Sequence, residues 1–372
     1  MRILHVITNL KKGGAQKLLF DIANELHTKE NNTIKILVLS RSKNEFEFLS
    51  KELDIVSCNT VFNFKILGKN SFDLEEYEKI VDDFRPSIIH SHLYLSELIV
   101  HENPRKGIHY VSHFHDDIVQ FRRLSINILT KSQITNFFEK RWLIRKYNNS
   151  KKTFICISTD SLKYYSNSFP KKLTQNLVFL KNAIKVSAFI NTKNQDLKKI
   201  KIINVGNFLV KKNQSFLIDV VVSIKNKGYH VTLDLLGDGV EKEKVFLKAK
   251  QLKVESLINF RGHVDSVNEH LSDSNIYLHS ATEEPFGLVI AEAMAAKVPV
   301  IQYKKTGHSD IIEHKKNGML INKLDPELFS DAVIKIFFDK NFRENLIENA
   351  YNSVLKLDIS IYCNQLVKLY KK

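Results

Sequence analysis

The stretch IYLHSATEEPFGLVIAEAMAAKVPVI, residues 276–301, decides the fold class of this chain. It reads as an apolar run, a polar loop, an apolar-rich helix and a second apolar run. Ile276–His279 and Pro299–Gln302 lack strict alternation, the pattern of short strands covered on both faces of a parallel sheet. Pro285 suits the first turn of a helix between them, so the stretch predicts a βαβ unit. A helix beginning near Pro285 leaves the backbone N–H groups of Phe286, Gly287, Leu288 and Val289 unpaired at its positive end, an anion site that needs no side chain. Glu284 and Glu292 flank that site. Eight residues of helix separate them by about 12 Å along the axis and about 80° around it. A single Glu before a helix also serves as a plain partner for the helix dipole.

Working outward, the same alternation runs through the chain. Earlier strands are predicted at Ile3–Thr8, Ile34–Ser40, Ser87–His90, Ile108–His113 and Thr153–Ser158, and later ones at Lys201–Gly206, Val231–Gly237 and Ile258–Arg261. The segments between them are mostly long enough for crossover helices. The pattern runs down over the polar stretch Ala183–Lys199 and restarts at Lys201. We therefore expect two Rossmann-like α/β domains, 1–185 and 186–355, with parallel sheets facing a cleft, since ligands of open α/β sheets bind at the carboxyl ends of the strands.

Composition narrows the setting. The 372 residues include 56 Lys and Arg against 41 Asp and Glu, a formal net charge of +15. Such a balance favours anionic partners, although lysine is abundant throughout. No nucleic-acid module is recognisable, so no nucleic acid is expected as partner. Cys58, Cys156 and Cys363 show no paired spacing, which argues against zinc and a disulfide framework. No run approaches the ~20 apolar residues of a membrane span, and the opening strand is too short for a signal peptide. A cytoplasmic protein is expected, with the inner face of the cell membrane as an alternative site. The second location rests on residues 120–152, where nine cations and one acid, Glu139, interleave with Phe121, Leu124, Phe137, Phe138 and Trp142. A basic helix with an apolar face can lie on an anionic membrane. It can equally pack on its own domain with its basic face in water.

Further candidates sit at strand ends. Asn204 to Asn213 reads strand, Gly206, loop, then Lys211 and Lys212 ahead of a helix at Gln214–Lys225, and a lysine there can neutralise a leaving diphosphate. Gly13 and Gly14 follow the first strand and let a ligand approach helix amides. They form no G-x-G-x-x-G and no acid ends a strand about 20 residues on, which argues against a dinucleotide dehydrogenase. His113, His115, Asp116 and Asp117 end another strand, as His90 and His92 do. The two-residue spacing with no further His or Cys pair nearby argues against a metal, so none is expected. With Glu284 and Glu292 able to grip hydroxyl pairs around a diphosphate, a nucleotide-sugar has the right shape for the whole set.

Together these pieces resemble glycosyltransferase family 4, with its GT-B fold. The resembling segments are the Gly13-Gly14-Ala15 loop, Arg85 to His92, Val205 to Asn213, Leu236-Gly237-Asp238-Gly239, and above all the Glu284, seven residues, Glu292 motif. The resemblance implies a retaining, metal-independent hexosyltransferase with no cofactor. It would move a sugar from a nucleotide-sugar, UDP-linked first, to a glycan or lipid-linked acceptor in surface polysaccharide biosynthesis. It implies His115, with His113 as the alternative register, facing the transferred sugar and Glu284 beside it. Lys212 would sit on the diphosphate with the Gly287, Leu288 and Val289 amides, Glu292 on the ribose, and Gly13, Gly14, Asn207, Lys211 and Gly237 around the donor. Asn207 stands where the family carries an arginine, and Lys211 is expected to compensate. Pro285 and Lys297 replace glycines, and Lys181-Asn182-Ala183 stands where Asn-Gly is common. The alternatives are an inactive partner subunit and a nucleotide-sugar epimerase. A C-terminal helix, 356–372, is expected to return to the first domain through Tyr362.

Overall fold

The first strand, β1 (Arg2–Ile7), has every residue after Arg2 buried, and it forms the middle of a sheet because apolar side chains leave both of its faces. The computed structural model describes all residues except 30–31, 41–44, 47–49, 61, 64–70, 123–129, 149, 190–197 and 305–309. The strands that follow are β2 (Thr33–Val38), β3 (Asp54–Ser57), the short pair β4 (Phe62–Asn63) and β5 (Ser71–Phe72), β6 (Ile88–His92), β7 (His109–Phe114), β8 (Lys151–Cys156) and β9 (Leu177–Phe179). Then come β10 (Ile200–Val205), β11 (Val231–Leu236), β12 (Ile258–Gly262), β13 (Ile276–His279), β14 (Val300–Tyr303) and β15 (Met319–Ile321).

The chain divides into two units, Met1–Ala183 with Ile359–Lys372, and Ile184–Asp358. The first contains a sheet in the order β3-β2-β1-β6-β7-β8-β9 and the second one in the order β12-β11-β10-β13-β14-β15. Both are parallel throughout. In each, the order reverses beside the unit's first strand, between β1 and β6 and between β10 and β13. Doubly wound sheets hold their ligands at that reversal, outside the carboxyl ends of the strands. The core of the second unit gathers Leu217, Val221, Leu233, Ile276, Phe329 and Val333 around its sheet. In the first unit, Leu4, Val6, Leu37, Ile89 and Tyr110 form one cluster and Phe114, Phe121, Tyr147, Phe154 and Tyr165 another.

The α/β class and the two-sheet organisation are as the sequence predicts. Four details differ. Strands β3, β9 and β15 and the antiparallel β4–β5 pair were not expected; each is two to four residues long, too short to show a period. The crossing between units falls at Ala183–Ile184 rather than 185–186, because the Ile184 N–H already donates to the Leu357 carbonyl at 3.0 Å and the Val186 N–H to Asp358 Oδ2 at 3.1 Å. The same bonds carry the second unit on to Asp358 instead of 355. The returning helix is accordingly Ile359–Tyr370, and it buries Tyr362, Cys363, Leu366, Leu369 and Tyr370 within the first unit.

The basic segment forms a helix, Lys131–Tyr147, opened by a Thr130–Gln133 capping box. Its Leu143 and Tyr147 are fully buried in the first unit's core, Trp142 stacks on Phe72 at 5.1 Å, and the Lys146 ammonium lies 3.4 Å from the Trp142 ring centre. The inner half of its apolar surface is thus spent on packing, while Ile134, Phe137 and Phe138 stay exposed. Of the expected membrane-facing residues, 123–129 lie outside the described part. Among the described residues no helix is long and apolar enough to cross a membrane.

Candidate functional site

In the second unit the site is built by the loops that leave β10 and β13, the two strands flanking the reversal. The loop after β10 is pinned from three sides. The Phe208 N–H donates to the Asp238 carbonyl at 2.9 Å, the Thr282 N–H to the Lys211 carbonyl at 2.8 Å, and the Ser280 hydroxyl to the Lys212 and Asn213 carbonyls at 3.1 and 3.0 Å. Gly237 makes the close approach possible: its φ is +121°, and a Cβ there would meet the Gly206 carbonyl oxygen at 2.3 Å. Its place is therefore against the loop backbone, which it lets settle next to β11. Gln214, at the start of the helix Gln214–Asn226, donates from Nε2 to the Gly206 and Asn207 carbonyls at 3.2 and 3.1 Å.

This lacing aims Lys212 at Glu284. The ammonium reaches Glu284 Oε2 at 2.5 Å, and His279 Nε2 stands 3.2 Å from the same oxygen. Burial alone would raise the Glu284 carboxyl, but the Lys212 charge and the His279 ring hold it well below the usual carboxylate range. The Glu284 carboxylate is thus ionised at neutral pH and holds the Lys212 side chain in place. Sequence reasoning missed His279 and Gln214. The signal available for His279 was its position as the last residue of a strand.

Two expectations about this region change. The helix begins at Leu288, not near Pro285, because Gly287 takes a left-handed φ of +88° and breaks the turn. The exposed helix-end amides are therefore those of Leu288 and Val289, while the Ile290 N–H donates to the Gly287 carbonyl at 2.9 Å. Glu284 lies in the loop and not on the helix, so the helical rise does not set its distance from Glu292. Glu292 sits on that helix, 4% exposed. Tyr277 lies near both acids: burial first, and then the Glu284 and Glu292 carboxylates, push its hydroxyl well above the usual range. Asn207 is exposed on the loop and Lys211 half-buried beside it.

In the first unit, Gly13 stands at extended φ (−171°) before the helix Gly14–His27 and accepts the Lys17 N–H at 3.0 Å. Parallel register does something here that spacing along the chain could not reveal. It pairs His5 with His90 and His92 with His113. The two-residue period of a strand then puts His90 and His92 on one face, with His113 on the same face of the next strand and His115 just past that strand's end. Five histidines meet at the β1–β6 reversal. His5 Nδ1 faces His92 Nε2 at 3.1 Å, His92 Nδ1 faces His115 Nε2 at 2.9 Å, His90 Nδ1 meets the Tyr370 hydroxyl at 2.7 Å, and His113 Nε2 meets Asn182 Oδ1 at 3.2 Å. Burial lowers all five, His5 to about 3 and His113 to about 4, so the rings are neutral at neutral pH. The argument that no second histidine pair lies near His113 and His115 therefore fails in three dimensions. Of the expected site residues, His115 and its alternative His113 belong to this cluster in the first unit. Lys212 and Glu284 are brought together in the second.

Comparison with known proteins agrees with this arrangement. Residues 12–174 match the family Glycosyltransferase Family 4, and residues 186–353 match Glycosyl transferases group 1. The chain is 28% identical over 154 residues to the lipopolysaccharide core biosynthesis glycosyltransferase LpsE of Rhizobium meliloti, covering 41% of this chain and 44% of that one. It is 31% identical over 153 residues to N-acetyl-alpha-D-glucosaminyl L-malate synthase of Bacillus anthracis, covering 41% and 40%. The matched part thus spans under half the length of these curated relatives. Among solved structures, Anabaena HepE in complex with UDP and glucose superposes with a TM-score of 0.79 at 18% identity, covering 100% of this chain and 99% of that one. Two Rossmann-like units, each a doubly wound parallel sheet, are the GT-B architecture. The chain belongs to the GT-B glycosyltransferases, with a family 4 N-terminal domain and a group 1 C-terminal domain.

Proposed function

We propose that this chain is a retaining, metal-independent hexosyltransferase that uses a nucleotide-diphosphate sugar, a UDP-sugar first, and a glycan or lipid-linked acceptor of surface polysaccharide assembly. The observation that carries the proposal is the Lys212–Glu284 pair at the β10–β13 reversal, next to the helix end at Leu288 and Val289. A diphosphate needs positive charge where its bond to the sugar breaks. Lys212 supplies a full charge there, and the Leu288 and Val289 N–H groups add the helix end. In this reading Glu292 accepts from the ribose hydroxyls, Glu284 contacts the sugar, and Lys211 stands beside the diphosphate. In the reaction the acceptor oxygen forms a bond to the anomeric carbon on the face from which the diphosphate departs. The acceptor proton passes to the leaving phosphate oxygen, so the configuration is kept. The similarity to the lipopolysaccharide core biosynthesis glycosyltransferase LpsE supports the acceptor class, and that to UDP-bound HepE supports the base.

The test is thermal stabilisation of the wild-type chain and of Glu292→Ala across a panel of nucleotides and nucleotide-sugars. A ligand that binds only the folded state raises the melting temperature by mass action. The expected result is a shift with UDP species that Glu292→Ala loses and Lys211→Ala reduces. The absence of a shift with any nucleotide would sink the donor assignment. Stabilisation without transfer would favour an inactive partner subunit, and conversion of the donor without acceptor an epimerase.

A further inference from the structure

We propose that His92, His113 and His115 form a three-histidine site for a borderline divalent transition metal such as Zn²⁺ in the first unit. One ring nitrogen from each of these residues lies within 4.8 Å of the other two. Hydrogen bonds already present fix which nitrogens are offered. His113 donates from Nε2 to Asn182 Oδ1 (3.2 Å), which leaves its Nδ1 as a bare lone pair; that atom is buried and has no hydrogen-bond partner among the described residues. His92 Nε2 pairs with His5 Nδ1 (3.1 Å), and in the tautomer that protonates His92 Nε2 this leaves His92 Nδ1 as the lone pair facing His115 Nε2 at 2.9 Å. Two imidazole nitrogens at that separation share either a proton or a cation. Around a tetrahedral zinc, with Zn–N about 2.0–2.1 Å, neighbouring nitrogens stand roughly 3.3 Å apart, so the His92–His115 pair needs a shift of a few tenths of an ångström, while the His113 ring, within 4.8 Å, closes by up to about 1.5 Å through rotation of its side chain.

A shared proton satisfies His92 and His115 but leaves His113 Nδ1 unpaired in the interior, at a cost of about 1–3 kcal/mol. A cation satisfies all three. The set also has the features of working metal sites. Neutral imidazole is the ligand form that zinc, copper and nickel select. Two of the three ligands are oriented by a partner on their other nitrogen, Asn182 and His5. His115 is only partly buried, so the ion has a way in from solvent. A second triple, His5, His90 and His92, lies deeper and is wholly buried. It shares His92 and has no such opening, so the outer set is the one we assign. The site stands on the first unit alone; it gives His115, which the family resemblance sets against the transferred sugar, the role of a metal ligand, and the titration below needs no nucleotide, so its failure is distinguishable from that of the donor reading.

The test uses the untagged full chain, stripped with a chelator and titrated with Co²⁺. Tetrahedral cobalt gives an intense visible absorption that an octahedral aquo ion lacks. The expected result is one equivalent of such absorption, removed by added Zn²⁺. Affinity should fall at least tenfold in His115→Ala and in His113→Ala, with folding checked by far-ultraviolet circular dichroism. His115 lies at the edge of the unit, so its variant should fold. No tetrahedral band in the wild-type chain would overturn the site whatever the variants do. A band of unchanged affinity in His115→Ala, lost in His5→Ala or His90→Ala, would overturn it in favour of the inner triple.

Discussion

Glu284 keeps its charge against burial because Lys212 and His279 meet the same oxygen. Its carboxylate is 11% exposed and the Lys212 side chain 21%, so water does little to screen the pair. Replacing Lys212 by Met should leave the buried carboxylate without the Lys212 charge and lower the second unit's stability by about 2–4 kcal/mol. Adding Glu284→Gln to that variant should restore part of the loss. Urea unfolding of the wild type, the Lys212→Met and Glu284→Gln single variants and the double variant measures the coupling, and a value near zero would show that the pair is not coupled. A different titration sits in the first unit. Glu97 is enclosed by the Ser91, Ser112 and Tyr147 hydroxyls at 2.5, 2.6 and 3.0 Å, with neutral His101 beside it. Burial raises its carboxyl from 4.5 to about 7, against the pull of those donors. A raised carboxyl holds a proton in the folded chain that the unfolded chain has lost. Its contribution to stability is therefore full below pH 4.5 and disappears as pH rises to about 7. The stability difference between wild type and Glu97→Gln should fall across that window; a difference flat in pH would refute the assignment. Lys212, Glu284 and Glu292 were legible because each lies in a short motif beside a strand end. His279, Gln214 and Glu97 were not, since what singles them out is a partner distant in sequence.

At the scale of elements, two glycines decide how closely the loops after β10 and β11 pack. A Cβ on Gly237 would meet the Gly206 carbonyl at 2.3 Å, and one on Gly239 would meet the Phe208 carbonyl at 2.5 Å. Gly228 also has positive φ, +84°, but nothing lies within 4 Å of a Cβ there. Gly228→Ala should therefore cost only the left-handed backbone, about 1–2 kcal/mol. Gly237→Ala should cost more than that and also shift the Lys212 loop, abolishing nucleotide stabilisation. Melting curves with and without UDP test both, and equal losses in the two variants would refute the role given to the close approach. The sequence carried the order of strands and helices because apolar runs and turn residues are local. It misplaced the start of the Leu288–Ala295 helix because Pro285 and Gly287 give competing signals two residues apart, and the left-handed glycine won. It could not show the histidine cluster, because residues 5, 90 and 113 become neighbours only through the register of a parallel sheet.

For the whole molecule, the decisive feature is that the helix Ile359–Tyr370 completes the first unit although it follows the second in the chain. Its six buried side chains, at roughly 1.5–3 kcal/mol for each large apolar one, are comparable with the 5–15 kcal/mol that holds a domain together. A chain ending at Asp358 should therefore lose the cooperative melting of the first unit while the second still melts normally. Calorimetry separates these outcomes, and retention of both transitions would show that the helix is dispensable. The expected two-sheet layout was legible from the restart of the strand pattern at Lys201. The exact crossing was not, because it depends on the bonds of Ile184 and Val186 to the far end of the unit. The same discontinuity orders events on the ribosome. The groove that receives this helix is made first, yet it stays uncovered while residues 184–358 are translated, roughly 10–35 s at about 5–20 residues per second. The second unit can thus finish folding while the first still presents open apolar surface to chaperones, so the earlier-made half of the nascent chain is the later one to mature.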